Sequence, residues 1–399
     1  MLRSVVLLLA FVVFEANAQW KKISSTSFED LYDISVVGHK TFAVGNNSTV
    51  LYSGDTGKSW KKMTLTIPNN LRSVCFIDTS IGFVIGENAR IQKTTNGGKT
   101  WSQKYVKTAA YGYDIAFYNQ YGIAVGKDML AVSSSDTGET WKVDTTLIKF
   151  KKLNSVTITN DGNCWAVGDS GYILTKTILT RHWNITRYPS NVDFNHVSHI
   201  GNGTIIITGG MPDSSTVGKY FNIFLISVDT GKTWKQRTLS EMKIINTAYF
   251  ISKDSGFLAG SSGIIVKCKG GIDDRGQQLS GVAASLNEIE FYNGIGLAVG
   301  DGGTVLRTTN YGGYALSLVT NKVPSIGIEI YPMPGNGNIS LFATEQLSKV
   351  TVCNLAGQVV FESNNIEGKH VISDLVPGVY FVGVMNASGA FETLKVVVQ

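Results

Sequence analysis

The chain alternates short apolar and polar runs in a fixed cycle. A run of alternating character, such as Asp33-Ile34-Ser35-Val36, is followed by an apolar run that closes on glycine, such as Thr41-Phe42-Ala43-Val44-Gly45. The glycine-closed run occurs seven times, ending at Gly45, Gly86, Gly126, Gly168, Gly209, Gly260 and Gly300. Each is preceded by an alternating run starting at Asp33, Ser73, Asp114, Ser155, His196, Thr247 or Glu288. Period-two alternation bounded by Gly and Asp predicts antiparallel strands. A third strand leads into a recurring phrase and a fourth starts at its tryptophan. The phrase stands at residues 53–60 (SGDTGKSW), 94–101 (TTNGGKTW), 134–141 (SSDTGETW) and 227–234 (SVDTGKTW). Trp20, Trp60, Trp101, Trp141 and Trp183 are 40, 41, 40 and 42 residues apart, and Trp234 follows 51 later. Four strands per cycle of this length predict one propeller blade per repeat and seven blades in all.

The phrase is a turn. Asp55, Asn96, Asp136 and Asp229 can bond their own backbone, and Gly57, Gly98, Gly138 and Gly231 supply positive φ. Trp60, Trp101, Trp141 and Trp234 then pack between blades. Blade four keeps only Trp183, and blade six keeps a Gly/Asp-rich turn. Trp20-Lys21-Lys22-Ile23 repeats Trp60-Lys61-Lys62-Met63 with no blade before it, so this segment is expected to supply the outer strand of the last blade. Closing the ring in this way completes the last blade and leaves only short outer edges. The phrase resembles the Asp-box, or bacterial neuraminidase repeat. The stretch from residue 20 to about 318 resembles the seven-bladed propellers of photosystem II assembly-factor-like proteins. That resemblance implies the fold and says little about activity.

Beyond residue 318 the period stops. A linker is expected over 319–327, followed by a β-sandwich over 328–399. Tyr331-Pro332-Met333-Pro334, Val352-Cys353-Asn354-Leu355-Ala356-Gly357-Gln358-Val359-Val360, Leu375-Val376-Pro377-Gly378-Val379-Tyr380 and the terminal Lys395-Val396-Val397-Val398 carry a second resemblance. They are similar to the type A C-terminal sorting domain of the Bacteroidota type IX secretion system, with Met333 where Asn is usual. The resemblance implies that residues 328–399 engage the secretion machinery and that the protein ends at the cell surface or outside the cell.

Residues 1–18 combine Arg3, the apolar run 5–14 and Ala16-Asn17-Ala18, the pattern of a cleaved signal peptide that directs Sec-dependent export into the periplasm. The apolar run is too short to span a bilayer, and no transmembrane segment is expected in the mature chain. Composition fits an all-β, turn-rich chain: 43 Gly, 7 Pro and 43% apolar residues in 399. A formal charge of +5 with dispersed lysines gives no basic patch for nucleic acid. Cys75, Cys164, Cys268 and Cys353 lack metal or redox spacing, and buried free thiols are expected. No cofactor and no metal site is expected.

Candidate chemistry is concentrated on the first strands, which line a propeller's channel. Glu288 and Glu290 share a strand face, and ring closure brings Asp33 alongside, so a carboxylate pair for glycoside hydrolysis is one reading of the channel mouth. A hydrated polar channel is the simpler one. His196 and His199 point to opposite faces and make a poor metal pair. The arginines lack the clustering and the Arg-Ile-Pro motif that sialidases require. Tyr111, Tyr113, Tyr188 and Lys152, with Asp114 and His196, form a candidate recognition surface beside Phe150, Lys151, Arg187 and Phe194. The lengthened connection of blade five, 210–220, is a candidate overhang on the same face. All seven tryptophans have structural assignments, so no tryptophan platform for sugars is expected. A non-catalytic module binding a protein or glycan is the leading reading. A glycoside hydrolase and a structural or adhesion protein of the surface are the alternatives.

Overall fold

A computed structural model describes residues 20–398, apart from 66–67, 107–109, 129, 145–150, 213–219, 240–242, 310, 312–327, 332–337, 355–357 and 388–390. The expected signal peptide, Phe150, the expected linker 319–327 and the proline-rich opening at 332–334 therefore lie outside the described residues. The chain forms two compact units, Met1–Leu316 and Ser317–Gln399.

The first unit is a propeller of seven four-stranded antiparallel sheets. Blade one runs Leu31–Val37, Lys40–Gly45, Val50–Ser53 and Lys61–Met63, and the later blades repeat that order. Blade seven takes Leu286–Tyr292, Ile295–Gly300 and Thr304–Thr308 from its own repeat. Its outer strand is Lys21–Ile23, with Lys21 opposite Arg307 and Ile23 opposite Val305. Trp20 secures this closure: it is fully buried, its indole Nε1 donates to Gln278 Oε1 at 2.7 Å, and it meets Phe291 edge-on.

The turn phrase works as a cap. In blade three, Asp136 Oδ1 accepts from Thr140 N at 2.9 Å and from Ser134 Oγ at 2.8 Å, while Ser134 Oγ accepts from Gly138 N at 2.9 Å. Gly138 lies at φ +71°, and a Cβ there would stand 2.3 Å from the ring of Phe83 in blade two. The phrase of each blade thus presses its glycine onto the second strand of the preceding blade. Only glycine allows both the backbone conformation and the contact.

Blade four has lost this cap, and a buried ion pair stands in its place. Lys176 Nζ lies 2.6 Å from Asp144 Oδ2 with both side chains fully enclosed, and Trp183 Nε1 donates to the same oxygen at 3.0 Å. In blade five the second strand continues to Pro212 and pairs with Tyr220, so part of the expected loop is strand. Its tip, 213–219, lies outside the described residues.

The second unit is a five-stranded antiparallel sheet. Its long strand, Ile339–Asn354, pairs first with Ile328–Tyr331 and then with Gly378–Asn386 on the same side. A strand that changes partners lets one sheet turn a corner over its own core. That core contains Leu341, Leu347, Val350, Val382 and Val396. All four cysteines are free thiols.

Candidate functional site

Every first strand of the propeller carries the same irregularity. Its register against the second strand shifts just before Asp33, Ser73, Asp114, Ser155, His196, Thr247 and Glu288. A bulge leaves one residue unpaired and frees nearby backbone groups from the ladder. The first strand is also the inner edge of its sheet, and amides on that edge are collected by the preceding blade. Asp33 Oδ2 accepts from Val74 N at 2.7 Å and Ser73 Oγ from Ile115 N at 3.3 Å. Asp114 Oδ2 accepts from Val156 N at 2.8 Å, Ser155 Oγ from Val197 N at 3.2 Å and His196 Nδ1 from Ala248 N at 3.4 Å. Thr247 Oγ1 donates to Glu288 Oε1, and Glu290 Oε2 accepts from Val36 N at 2.8 Å, which closes the circle. The polar residues of the first strands therefore form a belt of hydrogen bonds joining blade to blade.

The belt sets its own electrostatics. Burial drives Glu290 up to about 8, and the charge of Asp33 adds to it. Asp33 rises to about 7 through burial and then through Asp114. Glu288 is pushed well above the carboxylate range by burial and Asp33, and Asp114 is raised by burial. The same burial pushes His196 down to about 4 and the Cys75 thiol up to about 12. A channel cavity of about 250 Å³ borders Asp33, His196, Glu288 and Glu290. Among the described residues no cluster of ligating side chains fits a metal ion.

The bulged residue itself, one position earlier, divides the ring into two sectors. In blades four to seven it is Asn154, Asn195, Asn246 and Asn287. Each amide donates to a carbonyl of the next blade, at Phe194, Ile245, Leu286 and Leu31, over 2.8–3.0 Å. In blades one to three it is Tyr32, Arg72 and Tyr113. The Arg72 guanidinium lies 3.7 Å from the centre of the Tyr32 ring and 5.7 Å from that of Tyr111. Tyr111 stacks on Tyr113 at 5.5 Å, and Asn46 Nδ2 donates to the Tyr32 hydroxyl at 3.0 Å. Arg72 Nε is buried with no hydrogen-bond partner. Burial raises the Tyr111 phenol even though Arg72 pulls the other way. Three blades thus give up the asparagine link and present a clamped guanidinium between aromatic rings at the channel mouth.

The structure groups the sequence-derived candidates unevenly. Tyr111 and Tyr113 belong to the aromatic sector, whereas Asp114 and His196 belong to the belt in the wall. Lys152 pairs loosely with Asp169 at 3.9 Å, and Tyr188 donates to Gln236 and meets Phe194 edge-on. Asp33, Glu288 and Glu290 are neighbours, as their mutual influence requires, and each already accepts a backbone amide. Tyr32 and Arg72 were missed by sequence reasoning. The available signal was the column before each first-strand polar residue, where Asn is missing from the first three repeats and recurs in the last four.

Comparison with known proteins agrees with this architecture. Residues 13–95 and 58–144 match the family described as photosynthesis system II assembly factor YCF48. Residues 329–399 match the secretion system C-terminal sorting domain, so the chain carries the signal of proteins that the type IX system secretes or attaches to the cell surface. The photosystem II assembly lipoprotein Ycf48 of Synechococcus sp. (strain CC9902) is 23% identical over 176 residues, 40% of this chain and 53% of that protein. The chloroplastic photosystem II stability/assembly factor HCF136 of Oryza sativa subsp. japonica is 29% identical over 93 residues, 21% of this chain and 22% of that one. The chain therefore spans about half the length of these curated relatives, or less. Two solved structures share the fold at a TM-score of 0.60: YCF48 bound to D1 peptide, and YCF48 from Cyanidioschyzon merolae. They are 20% and 18% identical, and each alignment covers 73% of this chain and 97% or 99% of the other.

Proposed function

We propose that this chain is an exported propeller that holds a carboxylate-bearing peptide segment of a partner protein at its channel mouth, without chemistry. The observation that carries the reading is the broken symmetry of the bulge position. Four blades use asparagine to tie the ring together, and three use Tyr32, Arg72 and Tyr113 instead. A guanidinium held between aromatic rings offers a carboxylate charge-assisted hydrogen bonds, and the rings offer flat apolar area beside it. Residues 1–18 act as the Sec signal and residues 328–399 as the sorting signal of a Bacteroidota cell. The surface or the medium is then the place where the partner is met. A peptide complex of the fold relative YCF48 supports peptide capture by a propeller of this kind.

The hydrolase reading has one specific support, the raised carboxylates Asp33, Glu288 and Glu290 beside the 250 Å³ cavity. Against it, each of them is committed to a backbone amide, which leaves their role as ring closure the stronger account.

The test is a peptide library selected on the intact protein, followed by titration of the enriched peptides against Arg72→Ala and Tyr113→Ala. The expected outcome is affinity lower by about tenfold or more, from the loss of a charge-assisted contact. Melting temperatures should stay close to that of the wild type. Equal affinity for Arg72→Ala would refute the reading.

A further inference from the structure

We propose a second ligand site, independent of the channel mouth: a saccharide-binding groove between blades four and five, walled by Trp165 and Trp234. The cavity measures about 770 Å³, within the range of about 300 to 1,000 Å³ usual for small-ligand sites.

The groove exists because one position of the repeat is short. On the third strand of each blade, one residue sits over the second-strand residue that faces the next blade. In blades one, two, six and seven this residue is Tyr52, Lys93, Lys267 and Arg307. Tyr52 packs on Phe42, Lys93 lies over Phe83 and Lys267 over Phe257. The three cations also reach the next blade: Lys93 Nζ donates to Thr137 O at 2.6 Å, Lys267 Nζ to Tyr311 O at 2.6 Å and Arg307 Nε to Thr56 O at 2.9 Å. Each long side chain thereby fills the wedge between two blades. Blade five has Ile226 there, packed into the core, and at Ser133 of blade three the wedge is filled from the other side by Lys176. In blade four the residue is Thr175, opposite Trp165, and among the described residues no long side chain closes the gap.

The consequence shows in the tryptophans. Trp20, Trp60, Trp101, Trp141 and Trp183 are buried, whereas Trp234 is partly exposed along the groove and meets Trp165 edge-on at 5.8 Å. Trp165 is only 7% exposed, yet its indole Nε1 has no hydrogen-bond partner. The rest of the wall is polar: Thr175, Thr177, Asn184 and Thr186 share the blade-four face with Trp165, His182 also lines the cavity, and two cations border it, Lys176, which is paired with Asp144, and the exposed Lys232. Hydroxyl and amide groups both donate and accept, which is what a sugar's hydroxyls require, and indole faces suit the apolar face of a pyranose. Among the described residues no carboxylate lines the groove, so it is built to bind a saccharide and not to hydrolyse it.

The test uses the protein with both units present and a panel of short cello-, xylo-, manno-, malto- and chito-oligosaccharides, followed by tryptophan fluorescence and calorimetry. Thr175→Lys copies the residue that blades two and six already carry, and it should fill the groove without harming the fold. At least one oligosaccharide is expected to bind the wild type and to bind Thr175→Lys about tenfold more weakly or worse, with no loss of melting temperature. Asn184→Ala with Thr186→Ala, which removes polar groups while leaving the cavity open, should weaken the same ligand. The proposal is overturned if no saccharide of the panel binds, if Thr175→Lys binds as the wild type does, or if only peptides compete for the groove. Peptide capture at Arg72 should be unchanged in Thr175→Lys, so failure of one site is read apart from failure of the other.

Discussion

Glu290 in the first strand of the last blade accepts a 2.8 Å hydrogen bond from the backbone amide of Val36 in the first blade. The contact joins residues 254 positions apart and belongs to the belt of side-chain links around the channel. It also places a carboxyl where burial and Asp33 raise it to about 8.

A definite pH dependence follows. Between its ordinary value of 4.5 and about 8, the folded state holds the Glu290 proton more tightly than the unfolded chain does, so stability falls as pH rises through that window. Asp33, raised from 3.8 to about 7, acts in the same direction. Glu290→Gln keeps an oxygen for Val36 N and has no proton to lose. Thermal melts should show the variant close to wild type at pH 5 and more stable at pH 8, by on the order of 2 kcal/mol. A constant difference across that range would exclude the raised carboxyl.

The caps of the Asp-box titrate the other way. Burial pulls the Asp136 carboxyl up, but hydrogen bonds from Thr140 and Ser134 outweigh it and hold the group down at about 2. Its contribution is complete above the ordinary value of 3.8 and is lost as pH falls toward 2. Asp136→Ala should cost about 1 kcal/mol at neutral pH, as loss of a cap does. Asp136→Asn should cost less, because Asn96 fills the same place in blade two and accepts from Thr100 N at 2.9 Å. Urea unfolding of the two variants side by side checks the order.

Ring closure rests on Trp20. Its removal takes away a fully buried indole, the bond to Gln278 and the anchor of the Lys21–Ile23 strand. Trp20→Ala should destabilise the propeller by about 3–5 kcal/mol, the usual loss for a core aromatic. Calorimetry showing an unchanged melting temperature would contradict the closure.

The ion pair of Lys176 and Asp144 replaces a missing cap, and its two charges have no access to solvent. Lys176→Ala leaves Asp144 buried without its counter-charge and should cost about 3–5 kcal/mol. Lys176→Met combined with Asp144→Asn should recover much of that loss. The amide still accepts from Trp183 and Ser133, and no lone charge remains. Denaturant melts of the two proteins decide between charge and packing.

Resemblance to known sorting domains marked the last unit, and the sequence by itself determined the seven-fold repeat, the role of Trp20 and the caps of the Asp-box. These depend on local spacing: strand alternation, a glycine at positive φ and a tryptophan every 40 or so residues are legible wherever they occur. Tertiary structure decided the rest. Asp114, His196 and Glu288 read as candidate chemistry in one dimension, and in three they hold backbone amides. Tyr32 and Arg72 look unremarkable until the seven repeats are aligned, and only the packed ring shows the guanidinium seated against the tyrosine rings. The groove at Thr175 is invisible locally, because a short side chain makes a cavity only if its neighbours across the blade boundary also leave the space empty. What a residue does in this fold is set by the amide, ring or gap that the adjacent blade brings to it, and that pairing is made by closure of the ring.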